Sequence, residues 1–312
     1  MAKSITIEKT AWGGWPNCYR ISNGQIELII TSDVGPRIMR CGFVGGQNFF
    51  KVFDSQLGGT GEPTWQHRGG HRIWRAPEDF QRTYALDNAP AAVEICEGVL
   101  TSTQPVEPET GLQKQLVVTL AGDHDVTVLH RMKNTLPFAI RFAPWALTMM
   151  APGGTGVTGF PPRGTHEEML APTNPLVMWA FTDLSDPRWK FLRKYLVLHH
   201  DPANTDHTKL GHFNKKTWGA YVLGSEMFLK KYDADPGATY PDMGCSYETF
   251  ASDGMLELET LGPLAEIAPG EWLEHTETWS LFRSVKITEW TDATLDALLQ
   301  PVLENWLAES LH

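Results

Sequence analysis

An all-β fold is what this sequence predicts, and three observations carry that expectation. Alternating and β-branched runs recur along most of the chain. Turn residues separate many of them at ~8–12-residue spacing, which is the spacing of a sandwich or barrel. A long apolar stripe at helical spacing is clear only near the C-terminus. Asn23-Gly24 introduces a first strand, Gln25 to Thr31, and Gly35-Pro36 a second, Ile38 to Phe43. After the turn Gly45 to Asn48, Phe49 to Phe53 reads as a third strand. Ala91 to Leu100, Leu112 to Leu120 and Asp125 to Lys133 follow, and Phe138 to Met150 holds one more. Ala151 to Pro175, rich in Gly, Pro and Thr, reads as a surface excursion. Pro187 to Tyr195 is a short basic helix candidate. Thr217 to Leu223, Met227 to Tyr232, Met255 to Leu261 and Trp272 to Phe282 complete the strands. The clear helix is Asp292 to Leu307, with Thr291 as N-cap and Pro301 as a kink. Its stripe is Leu295, Leu298, Leu299, Val302, Leu303 and Leu307.

The 312 residues show no repeat and no obvious linker, so 1–312 is expected to be a single domain. Charged residues make up 20% and hydrophobic ones 42%, a globular composition. The net charge of −11 excludes a broad basic footprint, so neither nucleic acid nor an anionic membrane is an expected partner. No apolar run has the ~18 residues of a spanning helix, and the start lacks a leader's apolar core. Cys18, Cys41, Cys96 and Cys245 form no C-x-x-C pair. Reduced, mostly structural cysteines and a cytoplasmic location are the expectation.

Three polar clusters are candidates for chemistry. Gln66 to Asp79, QHRGGHRIWRAPED, puts His67, Arg68, His71, Arg72, Trp74 and Arg75 around two glycines. A strand here would point His71, Ile73 and Arg75 one way and Arg72 and Trp74 the other. Polar groups beside glycines and an aromatic suit a small polar ligand, although an ion-paired loop would carry them equally. In MLELETLGPL, Glu257 and Glu259 share one face of a strand. Burial of two like charges raises at least one pKa, which suits a general acid or base. HHDPANTDH offers His199, His200, Asp201, Asp206 and His207, but without a metal-site spacing, so no metal is expected. The 12 Trp fit core packing or stacking on sugar rings.

The order of these pieces resembles the galactose mutarotase-like superfamily. ISNGQIELIITSDVGPRIMRCGFVGGQNFFKV is similar to its N-terminal hairpin. HRGGHRIWRAPED resembles the R-G-G-x-P-x-x-x-P segment of hexose-6-phosphate 1-epimerases through Arg68, Gly69 and Gly70, with Arg72 where the first Pro would stand. KNTLPFAIRFAPWALTMM resembles a strand pair of the family, and LELETLGPLAEIAPGEW the strand that bears its catalytic Glu. The nearest kin suggested are bacterial members with GGHRIWRAPE. The resemblance implies a β-supersandwich of two large antiparallel sheets, ending here in a helix, whose concave face holds a sugar. It implies aldose 1-epimerase chemistry, with Glu259 as general base and Glu257 as its reserve and a substrate-binding group. The family's catalytic His has no counterpart in Phe142 to Met150, which carries Trp145, so His71 is the expected acid. Arg68 or Arg72 would hold hydroxyls, and Trp74 or Trp145 would stack on the ring. No cofactor is implied, the partner is a small carbohydrate, and the chain would be a monomer or homodimer. A sugar-binding protein without activity, and a glycoside hydrolase or lyase on the same sandwich, are the alternatives.

Overall fold

The computed structural model describes residues 5–161 and 163–309, without the side chains of 305–309. Its strands are β1 Thr6–Trp12, β2 Trp15–Ser22, β3 Ile26–Thr31, β4 Arg37–Phe43, β5 His71–Ala76, β6 Ala92–Cys96 and β7 Val99–Thr103. Then come β8 Leu112–Ala121, β9 Asp125–Asn134, β10 Ile140–Met150, β11 Thr155–Gly159, β12 Val177–Met178, β13 Trp189–Phe191 and β14 Tyr195–His199. The last are β15 Thr208–His212, β16 Trp218–Leu223, β17 Glu226–Tyr232, β18 Tyr247–Ala251, β19 Leu256–Leu261, β20 Ala265–Ile267 and β21 Trp272–Phe282, before helix α1, Asp292–Glu309. An 11-stranded sheet runs β1-β2-β3-β4-β5-β10-β19-β18-β15-β12, with β20 on β10. A 10-stranded sheet runs β13-β14-β11-β16-β17-β21-β9-β8-β7-β6. All the named pairings are antiparallel, so the fold is the expected two-sheet β-sandwich.

The core lies between the sheets. Leu28, Ile73, Ala146 and Leu258 from the first meet Leu116, Val128, Phe228 and Trp279 from the second. The edge of the Trp279 ring packs on Phe50 at 5.5 Å. Strands β8 and β9 alternate buried and half-buried residues from end to end, the pattern of a sheet covered on one face. Strands β5 and β19 are buried at every position, so both of their faces are covered.

Four sequence expectations need correction. Ala91 to Leu100 is not one strand: Glu97 (φ 49°) and Gly98 (φ 81°) turn the chain between β6 and β7. Phe49 to Phe53 makes only isolated bridges, Phe50 to Met150 and Val52 to Gly69. The Ala151 to Pro175 excursion contains β11, an interior strand of the second sheet. Pro187 to Tyr195 holds β13 and the start of β14 instead of a helix. Helix α1 forms as expected: Thr291 Oγ1 accepts from the Thr294 N–H at 3.2 Å, and Leu295 and Leu299 pack on Val157, Val197 and Leu229. The side chain of Leu307 lies outside the described residues. No described helix is long and apolar enough to cross a membrane.

Candidate functional site

Cross-strand register decides which polar groups meet. Arg72 lies opposite Leu147, Leu147 opposite Glu259, and Glu259 opposite Glu248. The next row is Met149, Glu257, Phe250 and Lys209. Opposed residues point to the same face of a sheet, so these side chains share the face turned away from the second sheet. Trp74 and Trp145, themselves opposed, join them there with ring centroids 5.4 Å apart. Expected together and found together are Arg72, Trp74, Trp145, Glu257 and Glu259.

The polar groups of this face are tightly arranged. Glu259 Oε2 accepts from Trp145 Nε1 and from Lys209 Nζ, each at 2.8 Å. The Lys209 ammonium also meets Glu248 Oε2 at 2.6 Å and lies over the rings of Trp145 and Trp179. Burial opposes that charge, but Glu248 and Glu259 win and hold Lys209 above its ordinary range. The Arg72 guanidinium sits over Trp74 at 4.1 Å and Trp65 at 5.2 Å. Its Nη2 is 3.7 Å from Glu257 Oε1. Arg72 Nε and Nη1, Glu257 Oε1 and Glu259 Oε1 are buried without a hydrogen-bond partner among the described residues. Buried polar atoms are ordinarily paired, so this convergence marks a place for something polar to bind.

Trp65, Tyr84 and Trp179 pack against the charged and aromatic groups of this face, the first two on Trp74 and the third beneath the Lys209 ammonium. Trp65 packs on Trp74 at 5.0 Å and on Tyr84 at 5.4 Å. Cavities of 520 and 710 Å³ open at the Phe181–His207 edge and beside α1, and neither is lined by the residues above.

Burial, and then the neighbouring Glu259, push the Glu257 carboxyl up from 4.5 to about 7. A carboxyl raised in this way stabilises the fold fully below its unfolded pKa, and that contribution fades as pH rises through about 7. Between pH 5 and 8, wild type is therefore expected to lose up to ~3 kcal/mol relative to Glu257→Gln. Urea midpoints at the two pH values check this; parallel shifts in both proteins would refute it.

His71 is not on this face. Its alternation with Arg72 turns it inward, as the strand pattern in the sequence allowed, and it is fully buried between the sheets. His71 Nε2 lies 2.6 Å from His130 Nε2, and its Nδ1 is 2.8 Å from Thr148 Oγ1. His130 Nδ1 meets the His275 carbonyl at 2.8 Å, so that nitrogen carries the proton and Nε2 is left to accept from His71. Burial holds His71 well below its ordinary range. The expected partnership of His71 with Glu259 is thus corrected: the two groups occupy opposite sides of one sheet.

Donor atoms of His71, His130 and Glu277 lie within 4.8 Å of one another, a set of metal-ligating type. They do not fit a cation. Glu277 already accepts from Lys230 Nζ at 2.7 Å, Trp279 Nε1 at 2.8 Å and Thr260 Oγ1. Burial disfavours the Glu277 charge, yet the Lys230 ammonium holds the carboxyl well below its usual range. The same burial draws Lys230 down, but the three donors on Glu277 keep the pair ionic. An ammonium beside the trio would repel a metal.

Arg68 is also corrected. It is fully buried beneath the loop before β5, where it donates to the carbonyls of Gln56 and Gly59, to Asn88 Oδ1 and to Glu62. It clamps that loop. Gly69 beside it has φ 95°, and a Cβ there would run into the Lys51 carbonyl. In the His199–His207 run, His200 Nδ1 accepts from the Gly153 N–H. The His207 ring stands 5.4 Å from Phe250, at the margin of the polar face. Sequence reasoning missed Lys209, Glu248, Trp65 and Trp179. A lone charge inside each short apolar run, TKLGH and YETFA, was the available signal for the first two.

The sequence matches no family profile and no curated protein. Solved structures do match. A Synechocystis sp. PCC 6803 protein, Slr1438, is 12% identical with a TM-score of 0.58, over 89% of this chain and 99% of its own. A galactose mutarotase-like protein from Clostridium acetobutylicum is 9% identical with a TM-score of 0.57, over 90% and 99%. One from Lactobacillus casei ATCC 334 is 11% identical with a TM-score of 0.55, over 85% and 100%. With its two antiparallel sheets and C-terminal helix, this chain has the galactose mutarotase-like fold.

Proposed function

We propose that the outer face of the first sheet is a carbohydrate site, at which Glu259 takes a proton during anomer interconversion of an aldose. One observation carries this reading: the unpartnered buried atoms of Arg72, Glu257 and Glu259 converge beside the indoles of Trp74 and Trp145. Fixed polar groups against flat apolar rings suit a sugar, whose hydroxyls need partners and whose C–H face needs a stacking surface. In the reaction Glu259 would remove the proton from the anomeric hydroxyl. The electron pair left on O1 by that proton becomes the second C1–O1 bond, the C1–O5 bond breaks with its pair going to O5, and O5 takes a proton. Rotation about C1–C2, closure and return of both protons give the other anomer. No cofactor enters this balance.

The experiment is polarimetry on fresh α-D-glucose, α-D-galactose and their 6-phosphates, beside calorimetry with the same sugars. Acceleration over buffer supports the epimerase. A second reading, a sugar-binding protein without turnover, rests on one observation: no imidazole among the described residues is hydrogen-bonded to Glu257 or Glu259. Binding without acceleration would favour it, and absence of both would remove the site. Glu248, Glu257 and Glu259 on one face also keep a hydrolase in view, to be tested with aryl glycosides.

A further inference from the structure

We propose that Glu257 is the proton donor that works with Glu259, in the place where the resemblance calls for an imidazole. The inference rests on the epimerase reading above. Its ground is position: Glu257 and Glu259 are two residues apart on β19 and face the same way. The two oxygens that exchange protons, O1 and O5, are bonded to one carbon, so donor and acceptor need not lie on opposite sides of the ring. Two hydrogen-bond reaches of about 2.6–3.2 Å, added to the short O1···O5 separation across C1, span the ~6.6 Å that two residues of strand place between such side chains.

The surroundings divide the two carboxyls by role. Glu259 Oε2 holds two donors, Trp145 Nε1 and Lys209 Nζ, as a carboxylate does, and its Oε1 is left to accept. Glu257 Oε1 has no such donor among the described residues, with Arg72 Nη2 only at 3.7 Å. Arg72, itself 3% exposed with Nε and Nη1 unpartnered, is the independent sign that a ligand belongs here. The charged and titratable groups of this face around Glu257 are Glu259 on its own strand, Glu248 on the neighbouring β18, Arg72 on β5, Lys209 on β15, and Glu78 and Tyr84 on the segment after β5. Burial and Glu259 outweigh the two cations and keep a proton on part of the Glu257 population up to about pH 7. Two carboxyls whose surroundings differ in this way are the kind of pair that divides acid and base roles.

In the step, Glu257 gives its proton to O5 as the C1–O5 bond breaks, while Glu259 holds the proton from O1. Closure on the other face of C1 reverses both transfers, so the enzyme ends as it began. The test is the pH profile of kcat/KM for α-D-galactose and α-D-glucose, with the rate in buffer subtracted. Wild type should lose activity as pH rises through about 7. Glu257→Gln should fall 10²-fold or more and lose that alkaline limb, with sugar affinity by calorimetry changed less than threefold. Glu257→Asp should keep a shifted alkaline limb at a reduced rate. An active wild type whose profile survives Glu257→Gln would overturn the assignment and turn attention to His207. A wild type with no acceleration would instead sink the epimerase reading itself.

Discussion

Glu259→Gln is expected to lower the catalysed anomerisation rate by about 10²–10⁴-fold, the usual contribution of a positioned proton acceptor. The amide is nearly isosteric, and its oxygen can still accept from Trp145 Nε1 and Lys209 Nζ, the partners of Glu259 Oε2. The face should therefore keep its shape, and calorimetry should find sugar affinity largely intact. The loss should appear in kcat more than in KM, since a neutral amide cannot hold the proton from O1. Equal rates for Glu259→Gln and wild type would show that the acceptor lies elsewhere.

The second large effect concerns stability. Glu277→Leu should destabilise the fold by about 3–5 kcal/mol, because it leaves the Lys230 ammonium buried without its counter-charge. Lys230 is fully buried, with Glu277 and the Leu258 carbonyl as its partners. Trp279 Nε1 and Thr260 Oγ1 would lose their acceptor as well. The double variant Lys230→Met with Glu277→Leu should recover part of the loss, since it removes both charges together. Urea denaturation of wild type and the two variants measures this. A Glu277→Leu protein within 1 kcal/mol of wild type would show that the ionic pair contributes little.

Much of the architecture was legible in the residues. The strict alternation of β8 and β9 marks strands with one wet and one dry side. Glu257 and Glu259 were placed on one face by spacing alone, and the split of His71 from Arg72 followed from the same two-residue period. What the sequence withheld was which side of β5 faces the second sheet. Every position in that strand is buried, so no polar stripe labels the exterior, and the inward side carries an imidazole and a guanidinium where hydrocarbon would be expected. Strand β11 was hidden for another reason. Its glycines Gly156 and Gly159 weaken a strand pattern, yet they give room to Leu256 and Trp218. Arg68 misled because a fixed fork of donors serves a loop's carbonyls as well as a sugar's hydroxyls.

The rings of Trp65, Tyr84 and Trp179 have a kinetic consequence. Glu259 is fully buried and Glu257 is 7% exposed. On the carbohydrate-site proposal, a hexose would reach them only after the rings packed on Trp74 and Lys209 moved aside. Observed association rates should consequently level off at high sugar concentration, at the opening frequency, and stay below the encounter limit. The same gate would prolong the residence of a captured molecule and keep bulk solvent away from the opened chain until it recloses.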